Sequence, residues 1–203
     1  MPTYNIFPTP IYINQADDVE KLQEELTPKV DLIREGWNMK NPWDDNVKTS
    51  FKYGKPNVQF NDMPYFMEQL EKHVREYIAT IGPETNNNVL NDWKIEIRDT
   101  WMNVSDKGDF QFVHMHSNNQ ISGCYYFDSE ETTAIKFENP SPNLEFGIFP
   151  RLFGVNSLEE YKPKTGDFVL FPSYLKHGVK IHQEEKQRIS ITFNIRLKSI
   201  IDD

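Results

Sequence analysis

"RISITFNIRL", residues 188–197, places Ile189, Ile191, Phe193 and Ile195 at every second position, with Arg188, Ser190, Thr192 and Asn194 between them. Successive side chains on an extended backbone point to opposite sides, so this period of two predicts a strand with one apolar and one polar face. "WKIEIRDTW" (93–101) alternates in the same way, Trp93, Ile95 and Ile97 against Lys94, Glu96 and Arg98. Further β segments are expected at 120–128, 133–138, 166–171 and 176–182, separated by turn-rich stretches such as "NPSPNLEFG" and "KPKTGD". Many short strands without intervening helices predict a sandwich or jelly roll, with two facing antiparallel sheets from about residue 93 to 197.

Upstream of Trp93 the period is helical. "DDVEKLQEEL" (17–26) spaces Val19, Leu22 and Leu26 for one helix face, and the proline of "LTPK" marks its expected end. "NDMPYFMEQLEKHVREYIATIGP" carries a stripe of Phe66, Met67, Leu70, Val74, Tyr77, Ile78 and Ile81, with Asn61 or Asp62 as a cap and Gly82-Pro83 as a stop. Residues 34–60 show no period and read as a long aromatic loop, either a lid or packed irregular structure. The two helices are expected to cover one sheet from outside. Trp93 and Trp101 read as core.

Composition narrows the functions open to such a chain. Its 203 residues, 37% of them apolar, suffice for one substantial core and favour a single domain over 1–203, with 1–92 covering a β core at 93–198. A net charge of −9 has the wrong sign for gripping a phosphate backbone and argues against nucleic acid as a partner. No stretch approaches the ~20 apolar residues needed to cross a bilayer, and the N-terminus does not read as a secretory leader. Cys124 is the only cysteine, which excludes an internal disulfide and fits a reducing, cytoplasmic setting.

Two of the five histidines stand in "DFQFVHMHSNNQISGCYYFD" (109–128). On extended backbone His114 and His116 project to one side while Met115 faces away, a geometry suited to a shared metal ion. A histidine pair alone reads as readily as surface or satisfied core groups. A third candidate, His177, follows the apolar run and Pro-Ser turn of "GDFVLFPSYLKHGV", and the polar face of 188–194 reads either as wet surface or as the lining of a polar cavity. His73 falls at the edge of a helical stripe and reads as a packed or exposed helix residue. His182 reads as solvent-exposed, and Cys124 as a small buried hydrophobe that could line the cavity.

Residues 101–196 resemble the iron- and 2-oxoglutarate-dependent oxygenases, most closely the prolyl-hydroxylase-like branch with its phage and bacterial relatives. The resemblance rests on "WMNVSDKGDFQFVHMH", "SGCYYFD", "GDFVLFPSYLKHGV" and "RISITFNIR", four pieces in the family's order that cover about half the chain. It implies a double-stranded β-helix, with Fe(2+) and 2-oxoglutarate as cofactors. It implies His114, His116 and His177 as metal ligands, Arg188 on the distal carboxylate of 2-oxoglutarate, and Tyr126 and Thr192 beside it. His116 departs from the pattern, since the family's pair is His-x-Asp or His-x-Glu; a third neutral imidazole would keep the facial geometry and leave the site one unit more positive. The implied activity is hydroxylation of an unactivated C–H bond, with O2 and an unidentified small-molecule or peptide substrate, a peptidyl proline among the candidates. In a virus the setting would be the host cytoplasm. Two other readings stay open: a three-histidine, cupin-like metalloprotein that does not use 2-oxoglutarate, and an inactive member serving as an interaction module. Oligomeric state is not legible.

Overall fold

The computed structural model describes residues 9–35, 47–52, 55–56, 59–81, 93–141 and 158–199. In chain order the elements are β1 (Tyr12–Gln15), α1 (Val19–Glu35), β2 (Lys48–Thr49), β3 (Phe51–Lys52), β4 (Lys55–Pro56), α2 (Pro64–Ile81) and β5 (Trp93–Ser105). They continue with β6 (Gln111–His114), β7 (Ile121–Asp128), β8 (Ile135–Glu138), β9 (Leu158–Tyr161), β10 (Asp167–Pro172), β11 (His177–Val179) and β12 (Arg188–Ser199). Two main antiparallel sheets result, a large one in the order β1-β10-β7-β12-β5-β2 and a smaller one in the order β6-β11-β8-β9, while β3 and β4 pair only with each other. This is the two-sheet architecture that the alternating pattern predicts. Of its rungs, β5 and β12 pair over nearly their whole length, from Arg188 opposite Ser105 to Ser199 opposite Trp93.

The odd-numbered residues of β12 supply the outer core. Ile189, Ile191, Phe193 and Ile195 are buried with Met102, Tyr125, Phe168 and Leu170 against the apolar faces of α1 and α2. The even-numbered residues therefore face the smaller sheet, and a polar space opens between the two layers. Gly123, in the middle strand, is where a side chain has no room. A Cβ there would stand 2.4 Å from the Val169 carbonyl oxygen and 2.7 Å from the Phe193 ring.

Three expectations need correction here. Helix α1 does not end at Pro28 but runs through it to Glu35. The proline removes one backbone donor, yet Leu22, Leu26, Val30 and Ile33 form a continuous buried stripe that holds both sides of it against the core. The Thr27 hydroxyl also donates to the Gln23 carbonyl at 2.6 Å, just before the break. The cap of α2 is neither Asn61 nor Asp62. The Glu25 carboxylate of α1 accepts from the Tyr65 and Phe66 amides at 2.9 and 2.7 Å, using the orphan donors of the first turn. Trp93, read as core, is 40% exposed at the last rung of the β5–β12 ladder. The Gly82-Pro83 stop lies outside the described residues, as do much of the 34–60 loop and residues 142–157. In the described part of that loop, Val47, Thr49, Ser50 and Phe60 are buried, as packed irregular structure would be. No helix among the described residues is long and apolar enough to cross a membrane.

Candidate metal centre

Strand β6 ends at His114, and β11 begins at His177 directly opposite it, so the ladder itself brings these two imidazoles together. His116 lies two residues past the end of β6, and its backbone amide donates to the Ser173 carbonyl at 2.9 Å, which holds that short segment against the turn before β11. The ring centroids stand 4.4 Å (His114–His177), 5.1 Å (His116–His177) and 5.3 Å (His114–His116) apart. One nitrogen of each ring lies within 4.8 Å of the others, the only such cluster of potential ligands among the described residues.

The hydrogen bonds around the rings decide which nitrogens those are. His114 Nδ1 lies 2.8 Å from the Phe112 carbonyl oxygen, and His177 Nδ1 lies 2.9 Å from that of Leu175. A carbonyl only accepts, so both Nδ1 atoms carry the proton and both Nε2 atoms keep a bare lone pair. His116 Nδ1 donates to Asn194 Oδ1 at 2.6 Å and leaves its Nε2 in the same state. Burial pushes the His177 pKa down to about 3, with His114 and His116 adding to the shift and the Leu175 carbonyl opposing it. Burial likewise lowers His116 to about 4, against the Asn194 hydrogen bond and with a smaller push from His114. Neutral imidazole is the form that ligates a metal. Asp109 and Asp128 do not join the cluster: Asp109 accepts from the Asp106 amide, and Asp128 pairs with Lys186.

A cavity of about 730 Å³ opens from these histidines into the space between the sheets, and Arg188, Tyr126, Thr192, Cys124 and Trp101 line it. Arg188 is 4% exposed, and its Nε has no hydrogen-bond partner. No carboxylate of the described residues pairs with its guanidinium, whose carbon stands 4.9 Å from the centre of the Tyr126 ring. The buried Tyr126 hydroxyl lies beside the Cys124 thiol without a hydrogen bond of good geometry. Burial drives the Tyr126 pKa well up, and the Arg188 charge only partly offsets this. Burial also raises the Cys124 thiol, which is therefore a neutral wall group rather than a nucleophile. Thr192 Oγ1 accepts from Asn103 Nδ2 at 3.0 Å, while Asn103 Oδ1 is a buried acceptor with no donor. A buried cation without a counter-ion is costly. The donor set here is complementary to a carboxylate, and the three bare nitrogens to a divalent first-row ion.

Of the other histidines, His73 is fully buried under α2, and His182 overturns the expectation of exposure. His182 is 3% exposed, with Nδ1 at 2.7 Å from the Thr133 hydroxyl and Nε2 at 2.7 Å from the Lys186 carbonyl. Both nitrogens are spent on structure. The sequence reading passed over Asn194 as a partner of His116; its only signal was its place in the polar alternation of β12. Trp101, read only as core, also borders the cavity 5.8 Å from the His116 ring.

The chain is similar to known proteins in sequence family and in fold. Residues 99–194 match a family described as "Putative 2OG-Fe(II) oxygenase". The sequence finds no significant match among curated proteins. Among solved structures, HygX from Streptomyces hygroscopicus with nickel and 2-oxoglutarate bound is 12% identical, with TM-score 0.60 over 93% of this chain and 83% of that one. A Pseudomonas putida prolyl-4-hydroxylase is 12% identical, with TM-score 0.58 over 93% and 92% of the two chains. The viral collagen prolyl hydroxylase of Paramecium Bursaria Chlorella virus-1 is 13% identical, with TM-score 0.52 over 91% and 94%. At these identities the likeness shows a shared fold.

Proposed function

Through residues 99–194 the chain belongs to the 2OG-Fe(II) oxygenase family, and from that premise we propose that His114, His116 and His177 hold Fe(2+) while Arg188, Tyr126 and Thr192 hold 2-oxoglutarate. On this reading residues 1–203 act as one oxygenase domain, with 1–92 covering the core at 93–198. When bound, the iron and 2-oxoglutarate supply an oxidation in which the oxo acid and O2 give succinate and CO2, and one oxygen atom enters a substrate C–H bond as hydroxyl. The chain's own residues bind, orient and shield. Arg188 offers a planar fork of donors in the wall of the cavity, where a distal carboxylate accepts from it in place of water. The Tyr126 hydroxyl and the Thr192 hydroxyl supply neutral donors to the same group. The substrate is an unactivated carbon of a small molecule or peptide that reaches the centre through the same cavity; several neighbours of like fold are prolyl hydroxylases. The single free cysteine fits the reducing setting of the cytoplasm.

The observation that carries this reading is the buried Arg188 with an unpartnered Nε, sharing one cavity with three bare imidazole nitrogens. The test is anaerobic titration with Fe(2+) and 2-oxoglutarate, followed through the visible band of the chelate. In Arg188→Ala, Fe(2+) binding should persist, because the guanidinium is not a ligand. Loss of a charge-assisted hydrogen bond costs ~1.5–3 kcal/mol, and at ~1.4 kcal/mol per tenfold the affinity for 2-oxoglutarate should drop roughly tenfold to several hundredfold. Arg188→Lys should recover part of it. The three-imidazole donor set also favours a centre that does not use 2-oxoglutarate, and unchanged affinity in Arg188→Ala would move the assignment there.

A further inference from the structure

The tautomers of His114 and His177 are fixed by main-chain carbonyls, which no side-chain substitution removes. His116 differs. Its Nδ1 partner is the side chain of Asn194, whose amide has an accepting end and a donating end. If the donating end faced His116, Nδ1 would have to accept, the proton would move to Nε2, and the nitrogen aimed at the cluster would no longer ligate. The accepting end faces His116 because a second donor holds it there. Ser122 Oγ donates to the same Asn194 Oδ1 at 2.8 Å, and Ser173 Oγ lies 2.7 Å from Ser122 Oγ. All three residues are buried, Ser122 and Ser173 completely.

Sheet register explains how the row forms. Asn194 on β12 stands opposite Ser122 on β7, and Ser173 immediately follows β10, the next strand over. Neighbouring strands are about 4.8 Å apart, so one inward polar residue per strand makes a row of side chains in hydrogen-bond reach. Ser173 closes the loop by accepting the His116 backbone amide through its own carbonyl. His116 is thus tied to the large sheet at both its amide and its ring, although its neighbour His114 belongs to the small sheet.

We propose that Asn194, backed by Ser122 and Ser173, is a positioning residue that fixes His116 as the third metal ligand by accepting its Nδ1 proton. The proposal rests on the metal centre of the proposed function. It accounts for how a neutral imidazole fills a place where the family pattern has a carboxylate: an ionised carboxylate can ligate through either oxygen, whereas an imidazole needs a fixed tautomer and ring angle, which the row supplies. Supporting partners of this kind are worth about 10- to 100-fold in metal affinity.

The experiment is titration of the metal-free full chain with cobalt(II) alone, read from its visible bands, alongside ¹⁵N spectra of the histidine rings without metal. Asn194→Leu keeps the volume and removes the acceptor; we expect a loss of about 10- to 100-fold in cobalt affinity and a His116 ring no longer held with its proton on Nδ1. Asn194→Asp keeps an obligate acceptor, and its affinity should stay within threefold of the wild type or exceed it. A packing role alone predicts the reverse order, since leucine suits a buried site better than a carboxylate does. Ser122→Ala, which leaves Asn194 in place, should show a smaller loss in the same direction and carries the test if Asn194→Leu does not fold. Cobalt affinity in Asn194→Leu within threefold of wild type, or Asn194→Asp falling as far as Asn194→Leu, overturns the proposal and leaves the metal centre standing. Wild-type protein that binds no cobalt overturns both.

Discussion

At position 126 the ring and the hydroxyl of tyrosine have separate duties. The ring lies under the Arg188 guanidinium, a cation–π contact that survives replacement by phenylalanine. The hydroxyl has no protein partner and is free to donate to a bound carboxylate. Tyr126→Phe should therefore weaken 2-oxoglutarate binding by only about threefold to tenfold, the value of one neutral hydrogen bond at ~0.5–1.5 kcal/mol. Calorimetric titration of the variant checks this, and a loss as large as that of Arg188→Ala would mean that the ring's packing, not the hydroxyl, carries the effect. Residues of this kind were legible through the family resemblance, since by type alone a histidine pair two apart and an arginine opening an apolar strand read as readily as surface groups. His182 was not. Its local sequence, "HQEEK", is polar, and its burial comes from Thr133, 49 positions away. Asn194 signalled only through its place in the polar alternation of β12, because its role depends on Ser122 and Ser173 arriving from other strands.

Elements show a similar division. The long strands β5 and β12 were readable because a strand between unlike environments must alternate, and β11 falls within the segment expected at 176–182, whereas β6, four residues long, is too short to show a period. Those short strands nonetheless carry His114 and His177. The end of helix α1 is not legible from local proline propensity, because the deciding factor is the buried stripe on both sides of Pro28. The joint between the helices was invisible for the same reason: Glu25 reaches across from α1 to cap α2 some 40 residues later. A carboxylate at a helix N-terminus also meets the positive end of the helix dipole. Glu25→Ala should cost about 1–2 kcal/mol of unfolding free energy, measured by urea denaturation. Asp62→Ala should cost clearly less, since Asp62 contributes only an exposed pair with Lys29. Equal losses in the two variants would refute Glu25 as the cap.

Over the whole molecule, the fold separates a dry layer from a polar one, and a histidine lies on the dry side. His73 is fully buried between α2 and the large sheet, its ring 4.4 Å from that of Phe168. Its Nδ1 is 2.7 Å from the Tyr12 hydroxyl, and its Nε2 has no partner. Burial lowers its pKa from the ordinary 6.5; Glu76 and Asp17 pull the other way and Lys72 adds to the lowering, each less than the burial. A base with a lowered folded pKa takes up its proton more readily when unfolded, so stability is fully present above about pH 6.5 and is lost as the pH falls below it. One proton of difference is worth at most ~1.4 kcal/mol per pH unit. Without metal, His116 and His177 are shifted by burial in the same sense, so wild type alone cannot isolate His73. The comparison is urea unfolding of metal-free wild type and His73→Gln at pH 7.5 and 5.5. The variant starts lower, because it disturbs the packing on Phe168, but between the two pH values it should lose on the order of 1 kcal/mol less than wild type. Parallel losses in the two proteins would show that His73 titrates alike in the folded and unfolded chain, with Glu76 and Asp17 offsetting its burial.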